Sequence, residues 1–422
     1  MNQDLALASQ AFVGRAEPAC IGYANHADSF LAGKEAALAA QKRAVNQQHG
    51  LALAFCGGRQ DYQASMAGMQ SVLGGIPIIG GPAIGVITNE HLSYSGYEVG
   101  LALLDEQVHA ELAWAKGLDR GERATGATLG AELAERQTPS DQLALLFYDS
   151  VRQPPPPAPV LNVSSYLLEG FYGAWSGQMP MLVGAGLIGT FAFDRGQLFI
   201  GDDTAEQVAL GAVLSGPFAA STTIMHGCQP MSGYHRITRV EGPVVYEIDH
   251  QPALGVIDRL MGNKDWQHHL PTVLLTLGVN HGAKYAPYDE HNYVNRLIVS
   301  VIPETQAIVL FEADFANQSE FQFMRRSPEL MVQSARQGCH DALRQLEESN
   351  REGILALYID CAGRTAAFSG VEQEEAAIVQ DLIGSRMPLL GCYSGVEIAP
   401  VNNLSRGLDW TGVLLILSRE RP

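Results

Sequence analysis

Two short constellations late in the chain carry residue types that can bind and orient a small ligand. Cys361-Ala362-Gly363-Arg364 sets a thiol three residues before a guanidinium. A guanidinium pairs bidentately with a carboxylate. Tyr393-Ser394-Gly395-Val396-Glu397 gathers a ring, a hydroxyl and a carboxylate. Such a trio can hold an ammonium group and cover the carbon skeleton behind it. The packing alternative is that Cys361 fills a small buried space, Arg364 ties its turn through backbone carbonyls, and Glu397 caps nearby amides. An earlier stretch, Cys56-Gly57-Gly58-Arg59, echoes the first set, and Gly80-Gly81 closes the strand after it. Paired glycines at a strand end let a ligand or another backbone approach closely. His226, Cys228 and His235 lie near one another but number fewer than the four ligands of structural zinc. Their plain alternative is a hydrogen-bonded histidine on a strand or turn.

The elements that must position these residues come from one phrase that occurs three times. Each copy opens with an apolar strand containing Leu-Ala-Leu, at residues 51–55, 143–148 and 355–359. A polar turn and a helix-compatible stretch follow. Each closes on an apolar residue, Pro, two or three more apolar residues and Gly: Ile76-Pro77-Ile78-Ile79-Gly80, Met179-Pro180-Met181-Leu182-Val183-Gly184 and Met387-Pro388-Leu389-Leu390-Gly391. Strand, crossover and second strand make a βαβ unit. Ligands of open α/β sheets sit beyond the carboxyl ends of such strands. Arg364, Tyr393, Ser394 and Glu397 all fall at the ends of the third copy.

Between the copies the sequence predicts a helix capped at Asp28-Ser29, hairpins at 97–104 with 108–114 and at 190–193 with 197–200, and a further hairpin at 235–240 with 244–248. A helix over 252–261 ends at Gly262-Asn263, and another begins at Ser327-Pro328-Glu329. The run Pro154-Pro155-Pro156-Pro157 reads as a stiff loop inside the second copy rather than as a linker. The expected fold is α/β in two domains, with mixed sheets built from repeated βαβ units and added antiparallel hairpins. The division is expected at 28–222 and 223–405.

At 422 residues the chain exceeds one ordinary core. Its net charge of −18 repels phosphate backbones, which argues against a nucleic-acid partner. Six scattered cysteines without a C-x-x-C pair read as reduced cytoplasmic thiols. The opening Met1-Asn2-Gln3-Asp4 shows no signal peptide, and the near-apolar stretch 179–193 is too short and too rich in glycine for membrane insertion. Gly-x-Ser-x-Gly and the Gly-Lys-Ser/Thr of a P-loop are both missing.

The order of these motifs resembles the FIST family, an N-terminal FIST domain followed by a C-terminal one. The strand at 51–56, the glycine segment 77–88, Met181 to Gly189, Gly227-Cys228-Gln229-Pro230, Glu247-Ile248-Asp249 and Cys361-Ala362-Gly363-Arg364 carry the likeness. So does Pro388-Leu389-Leu390-Gly391-Cys392-Tyr393-Ser394-Gly395-Val396-Glu397. One departure is Gly80-Gly81-Pro82-Ala83, where the family would place a Cys-Ser type sequence. The resemblance implies a cytoplasmic sensory input module of bacterial signal transduction, not an enzyme, with an amino acid or similar small molecule as ligand. Its output would pass through a separate protein such as a histidine kinase. On this reading the ligand-binding residues are Arg364, Cys361, Tyr393, Ser394, Glu397, Gly80 and Gly81. The family's stand-alone members imply an alternative: a haem-binding nitric oxide sensor in a two-component system, with His226 or His235 on the iron. A cysteine-dependent enzyme is the remaining alternative.

Overall fold

The computed structural model describes residues 19–44, 48–156, 158–271, 274–369 and 371–421. All three copies of the repeated phrase form βαβ units. Strand His49–Gly57 runs parallel to Ile78–Ala83, Asp141–Asp149 to Met181–Leu187, and Arg351–Cys361 to Leu389–Ser394. The crossovers carry the helices Tyr62–Leu73, Ser164–Ala174 and Glu375–Val379, the last continuing into a π turn at Gln380–Gly384. Side chains alternate across each first strand, as the two-residue period requires. Leu51, Leu53 and Phe55, Leu143, Leu145 and Phe147, and Leu355, Leu357 and Ile359 enter one shared core. The residues between them, such as Ala52, Ala54, Leu146 and Tyr358, pack outward in clusters that include the helices. Apolar residues on both faces explain why these strands read as unbroken apolar runs.

Each unit is extended in the same way. A leading strand, a long helix, the βαβ pair and a returning strand form one β-α-β-α-β-β set. The leading strands are Ala19–Asn25, His109–Lys116 and Ala219–Met225, and the long helices are Ser29–Arg43, Glu122–Arg136 and Pro328–Glu348. The returning strands Glu98–Asp105, Val208–Ser215 and Gly412–Glu420 insert between the leading strand and the first strand of the pair. Three similar sheets therefore surround one core, with Phe55 and Phe147 edge-to-face at 5.7 Å across two of them.

The sheets are completed by cyclic exchange. The strand after the first unit's closing glycine segment, Val86–Thr88, joins Leu389–Ser394 of the third. The second unit's Leu198–Gly201 joins Ile78–Ala83 of the first, and the third unit's Val396–Val401 joins Met181–Leu187 of the second. The closing glycines are set by close packing. A Cβ on Gly80, Gly184 or Gly391 would meet the carbonyl oxygen of Ala54, Leu146 or Tyr358, the residue paired with it.

The third unit holds an insertion between Ala219–Met225 and its long helix. It is a seven-stranded sheet beginning with Cys228–Glu241 and ending its order at Gln251–Pro252. The expected hairpin there is present, Cys228–Glu241 with Val244–Ile248. Helix Ala253–Met261 ends at Gly262 in the left-handed conformation, and the Ser327 hydroxyl caps Pro328–Glu348.

Two expected hairpins are absent. Glu98–Asp105 and His109–Lys116 separate into the first and second sheets, because each is a returning or leading strand of a different unit. Of 190–193 with 197–200, only Leu198–Gly201 is a strand, and its partners are Ile78–Ala83 and Thr204–Ala205. Residue 222 lies inside strand Ala219–Met225, which pairs with Gly412–Glu420. Among the described residues, no helix is long and apolar enough to cross a membrane.

Candidate functional site

The exchanged strands bring the carboxyl ends of neighbouring units together at three related junctions. Where the second unit meets the first, Gly58, Pro82, Gly189 and Gly196 pack against one another and leave no room for a side chain. Where the first meets the third, Tyr94 and Tyr393 stand edge-to-face at 6.1 Å, and both hydroxyls donate to Glu374. The junction of the second and third units is different. It encloses a cavity of about 340 Å³ between the Ser150 and Ile188 ends of one unit and the Cys361 and Ser394 ends of the other.

The walls of this cavity are apolar. Ile188, Leu297, Val299 and Phe311 line it together with Trp410. Phe191 and Phe368 are about two-fifths exposed and stack on each other, with centroids 5.6 Å apart and planes 17° apart. They form its mouth. Ser150, Cys361, Ser394 and Asp409 supply the polar side chains. Trp410 takes a left-handed backbone, φ +57°, in the turn before the last strand. Its ring lies under the Arg326 guanidinium, 3.5 Å from carbon to centroid.

Arg364 does not reach the cavity, which corrects its expected role as a carboxylate clasp. It is fully buried, ion-paired with Glu375 and with Asp360 at 3.1 Å, and donates to the carbonyls of Trp410 at 2.6 Å and His226 at 3.2 Å. Burial and the Glu375 carboxylate push Asp360 well above the usual carboxylate range, against the pull of Arg364. Tyr393 is likewise corrected: it is buried and spends its hydroxyl on Glu374. Glu397 is fully buried and accepts from the Ser394 hydroxyl at 2.8 Å and from Thr411 N–H at 3.3 Å, so it serves neighbouring donors. Burial pushes its carboxyl well up. Gly80 and Gly81 are buried beneath neighbouring strands and face no open space. Cys361 and Ser394 do line the cavity. The Cys361 thiol is pushed well up by burial and by Glu397, the opposite of an activated nucleophile.

The two histidines differ in their freedom to hold iron. His226 is fully buried. Its Nδ1 accepts from the Cys228 N–H at 2.9 Å and its Nε2 lies 3.0 Å from the Glu290 carbonyl. Both nitrogens are engaged, so His226 does not fit as a haem ligand. His235 is held by Asp249 through Nδ1 at 2.7 Å, which leaves Nε2 for another partner. It borders an open groove of about 680 Å³ with Tyr234, Tyr285, Tyr288 and Tyr293.

Most of the cavity wall has no local signature in the sequence. Trp410, Phe311 and Phe191 come from three separate segments, and no local pattern links them. Phe368 lies four residues after Arg364, and that proximity was the available signal. Gly184-Ala185-Gly186-Leu187-Ile188-Gly189 spells a dinucleotide-binding pattern in letters. It lies largely within strand Met181–Leu187 instead of between a strand and a helix, so it lacks the helix N-terminus that holds a pyrophosphate.

The fold is an α/β arrangement of three related units, and among the described residues a cavity of about 340 Å³ lies at one strand-end junction. The FIST N domain matches residues 50–251 and the FIST C domain residues 253–400. The chain belongs to the FIST family, whose domains are sensory domains of signal-transduction proteins. No curated protein sequence matches it. A crystal structure of chorismatase aligns over 88% of this chain and 94% of its own, at 9% identity and a TM-score of 0.31, a likeness too low to carry an argument.

Proposed function

We propose that this protein is a ligand-binding sensor that holds a small molecule in the cavity between the second and third units and signals through a separate output protein. The observation that carries this reading is the contrast among the three related junctions. Two are filled by side chains or backbone, and one is open, apolar-walled and polar at its inner end. Binding pockets have that character. An amino acid, the ligand implied by resemblance, would find Asp409 and Ser394 for its ammonium but no cation for its carboxylate. Free thiols at Cys56, Cys228, Cys339, Cys361 and Cys392 support a reducing, cytoplasmic setting. A division of the chain into an N-terminal and a C-terminal part near residue 220 fits the start of the third sheet. A histidine kinase is the output partner we propose. A thermal-shift screen of metabolites, amino acids and haem tests the site. Ligands that raise the midpoint of the wild type should lose that effect in Ile188→Phe. Hits that persist unchanged in that variant would exclude the cavity.

A second reading is favoured by His235. The Asp249 contact orients its ring, and the tyrosine-lined groove beside it has room for a flat macrocycle. There haem, when bound, would supply an iron that takes nitric oxide. His235 would hold the iron through Nε2, and Tyr234 and Tyr285 would cover the ring. The measurement is the Soret band on haem addition: His235→Ala should lose the band of the wild type. An unchanged band in that variant would remove this site.

A further inference from the structure

We propose that the cavity between the second and third units selects an uncharged, flat, largely apolar molecule of one or two rings. This rests on the reading of the cavity as the ligand site and narrows the chemistry it accepts. The first argument is charge. Among the described residues that line the cavity there is no lysine, arginine or histidine. Three buried cations lie behind its walls, and Arg326 among them lies over the Trp410 ring without lining the cavity. Arg364 is spent on Asp360, Glu375 and two carbonyls, and Arg296 on Asp314 and Asp409. The acidic groups at the inner end, Asp409 in the wall and Glu397 behind Ser394, are carboxyls that burial holds toward their neutral forms, and neither offers a positive charge. A ligand carboxylate or phosphate placed there would be desolvated with no counter-ion in the lining, which is strongly unfavourable.

The second argument is shape. The stacked Phe191 and Phe368 rings lead inward to Trp410, whose centroid lies 6.3 Å from that of Phe368 with planes 57° apart. Ile188, Val299 and Phe311 close the other sides. Aromatic walls reward a ring that can stack or meet them edge-on. The volume, about 340 Å³, lies at the small end of ligand pockets. The third argument is hydrogen bonding. The Ser394 hydroxyl donates to Glu397, so its lone pairs remain to accept from a ligand O–H or N–H. A neutral aromatic bearing one hydroxyl or ring N–H satisfies all three conditions.

Titration calorimetry of the full chain with three probes tests this. The probes are 2-naphthol, 2-naphthoate with the same body and one carboxylate, and L-tryptophan with both charges. The expected result is saturable binding of 2-naphthol, tighter than either charged probe by about tenfold or more, a difference worth about 1.4 kcal/mol. Val299→Trp, which fills the cavity, should abolish it. Phe368→Ala, a change at the exposed mouth, should weaken it severalfold with the circular dichroism spectrum unchanged, and it serves if the first variant does not fold. If 2-naphthoate or L-tryptophan binds as tightly and is lost in these variants, the ligand class is wrong and the cavity stands. If 2-naphthol binds equally well to both variants, the cavity is wrong as the site. If no probe binds, the proposed class is overturned.

Discussion

Arg364 Nη1 donates to the carbonyl oxygen of Trp410 at 2.6 Å, joining a buried guanidinium to the residue whose ring walls the cavity. The turn at Trp410 has a positive φ that side chains other than glycine seldom adopt. The same guanidinium pairs with Asp360 and Glu375, both buried. Arg364 thus stabilises the site from behind without touching its contents.

Removing that cation should be costly. Arg364→Met leaves the buried Glu375 without its cation and Asp360 without its partner, and breaking a buried ion pair costs about 3–5 kcal/mol. Urea unfolding measures it. Adding Glu375→Gln should recover part of the loss, since the stranded charge is then gone. A loss of less than about 1 kcal/mol for the single variant would mean that the network is not formed.

Asp409 gives a dependence on pH. Burial pushes its carboxyl up to about 7 against the pull of Arg296. An unfolded aspartate titrates near 3.9, at about the model-peptide value. Between those values the folded state keeps a proton that the unfolded state has lost. Its contribution to stability therefore falls as pH rises through that window and is flat above it. Asp409→Asn removes the titration. The variant should lose less stability than the wild type between about pH 5 and about pH 8 in urea unfolding. Equal losses in the two proteins would contradict the assignment.

The closing glycines should rank by how deeply a methyl group would intrude. At Gly184 an added Cβ overlaps the Leu146 carbonyl, whereas at Gly391 it lies 2.6 Å from the Tyr358 carbonyl. Overpacking costs about 1–3 kcal/mol and sometimes more. Gly184→Ala should therefore lower the thermal midpoint further than Gly391→Ala. The reverse order would mean that the strands move apart more easily than their packing suggests.

Cys361 should react slowly. Its thiol is held protonated by burial and by Glu397. Alkylation by iodoacetamide at neutral pH should be slower than that of a thiol in a short peptide, and slower again with a ligand in the cavity. A faster rate would revive the reading of Cys361 as an enzyme nucleophile.

The three βαβ units were legible because their strands are buried on both faces and so are written as apolar runs ending in Pro and Gly. The helix caps at Asp28 and Ser327 and the stop at Gly262 were legible because they depend on local chemistry alone. The exchange of strands between units was not. Whether Val86–Thr88 pairs with its own unit or with Leu389–Ser394 is decided by closure of the whole ring of sheets, which no local pattern encodes.

The site shows the same divide. Topology pointed to the strand ends of the third unit, and Cys361 and Ser394 there line the proposed cavity. The roles of Arg364, Tyr393 and Glu397 did not follow, because a polar residue near a strand end can face a cavity or a buried partner. Here Asp360, Glu374 and Glu375 supply partners for Arg364 and Tyr393, while Ser394 and Thr411 occupy Glu397.

The crystal structure of the complex with the tightest-binding probe tests the central claim most directly. The account predicts density for the ligand between Trp410 and Phe368, with a polar atom within hydrogen-bonding distance of Ser394 Oγ. Density in the tyrosine-lined groove beside His235, with the cavity between the second and third units empty, would contradict it.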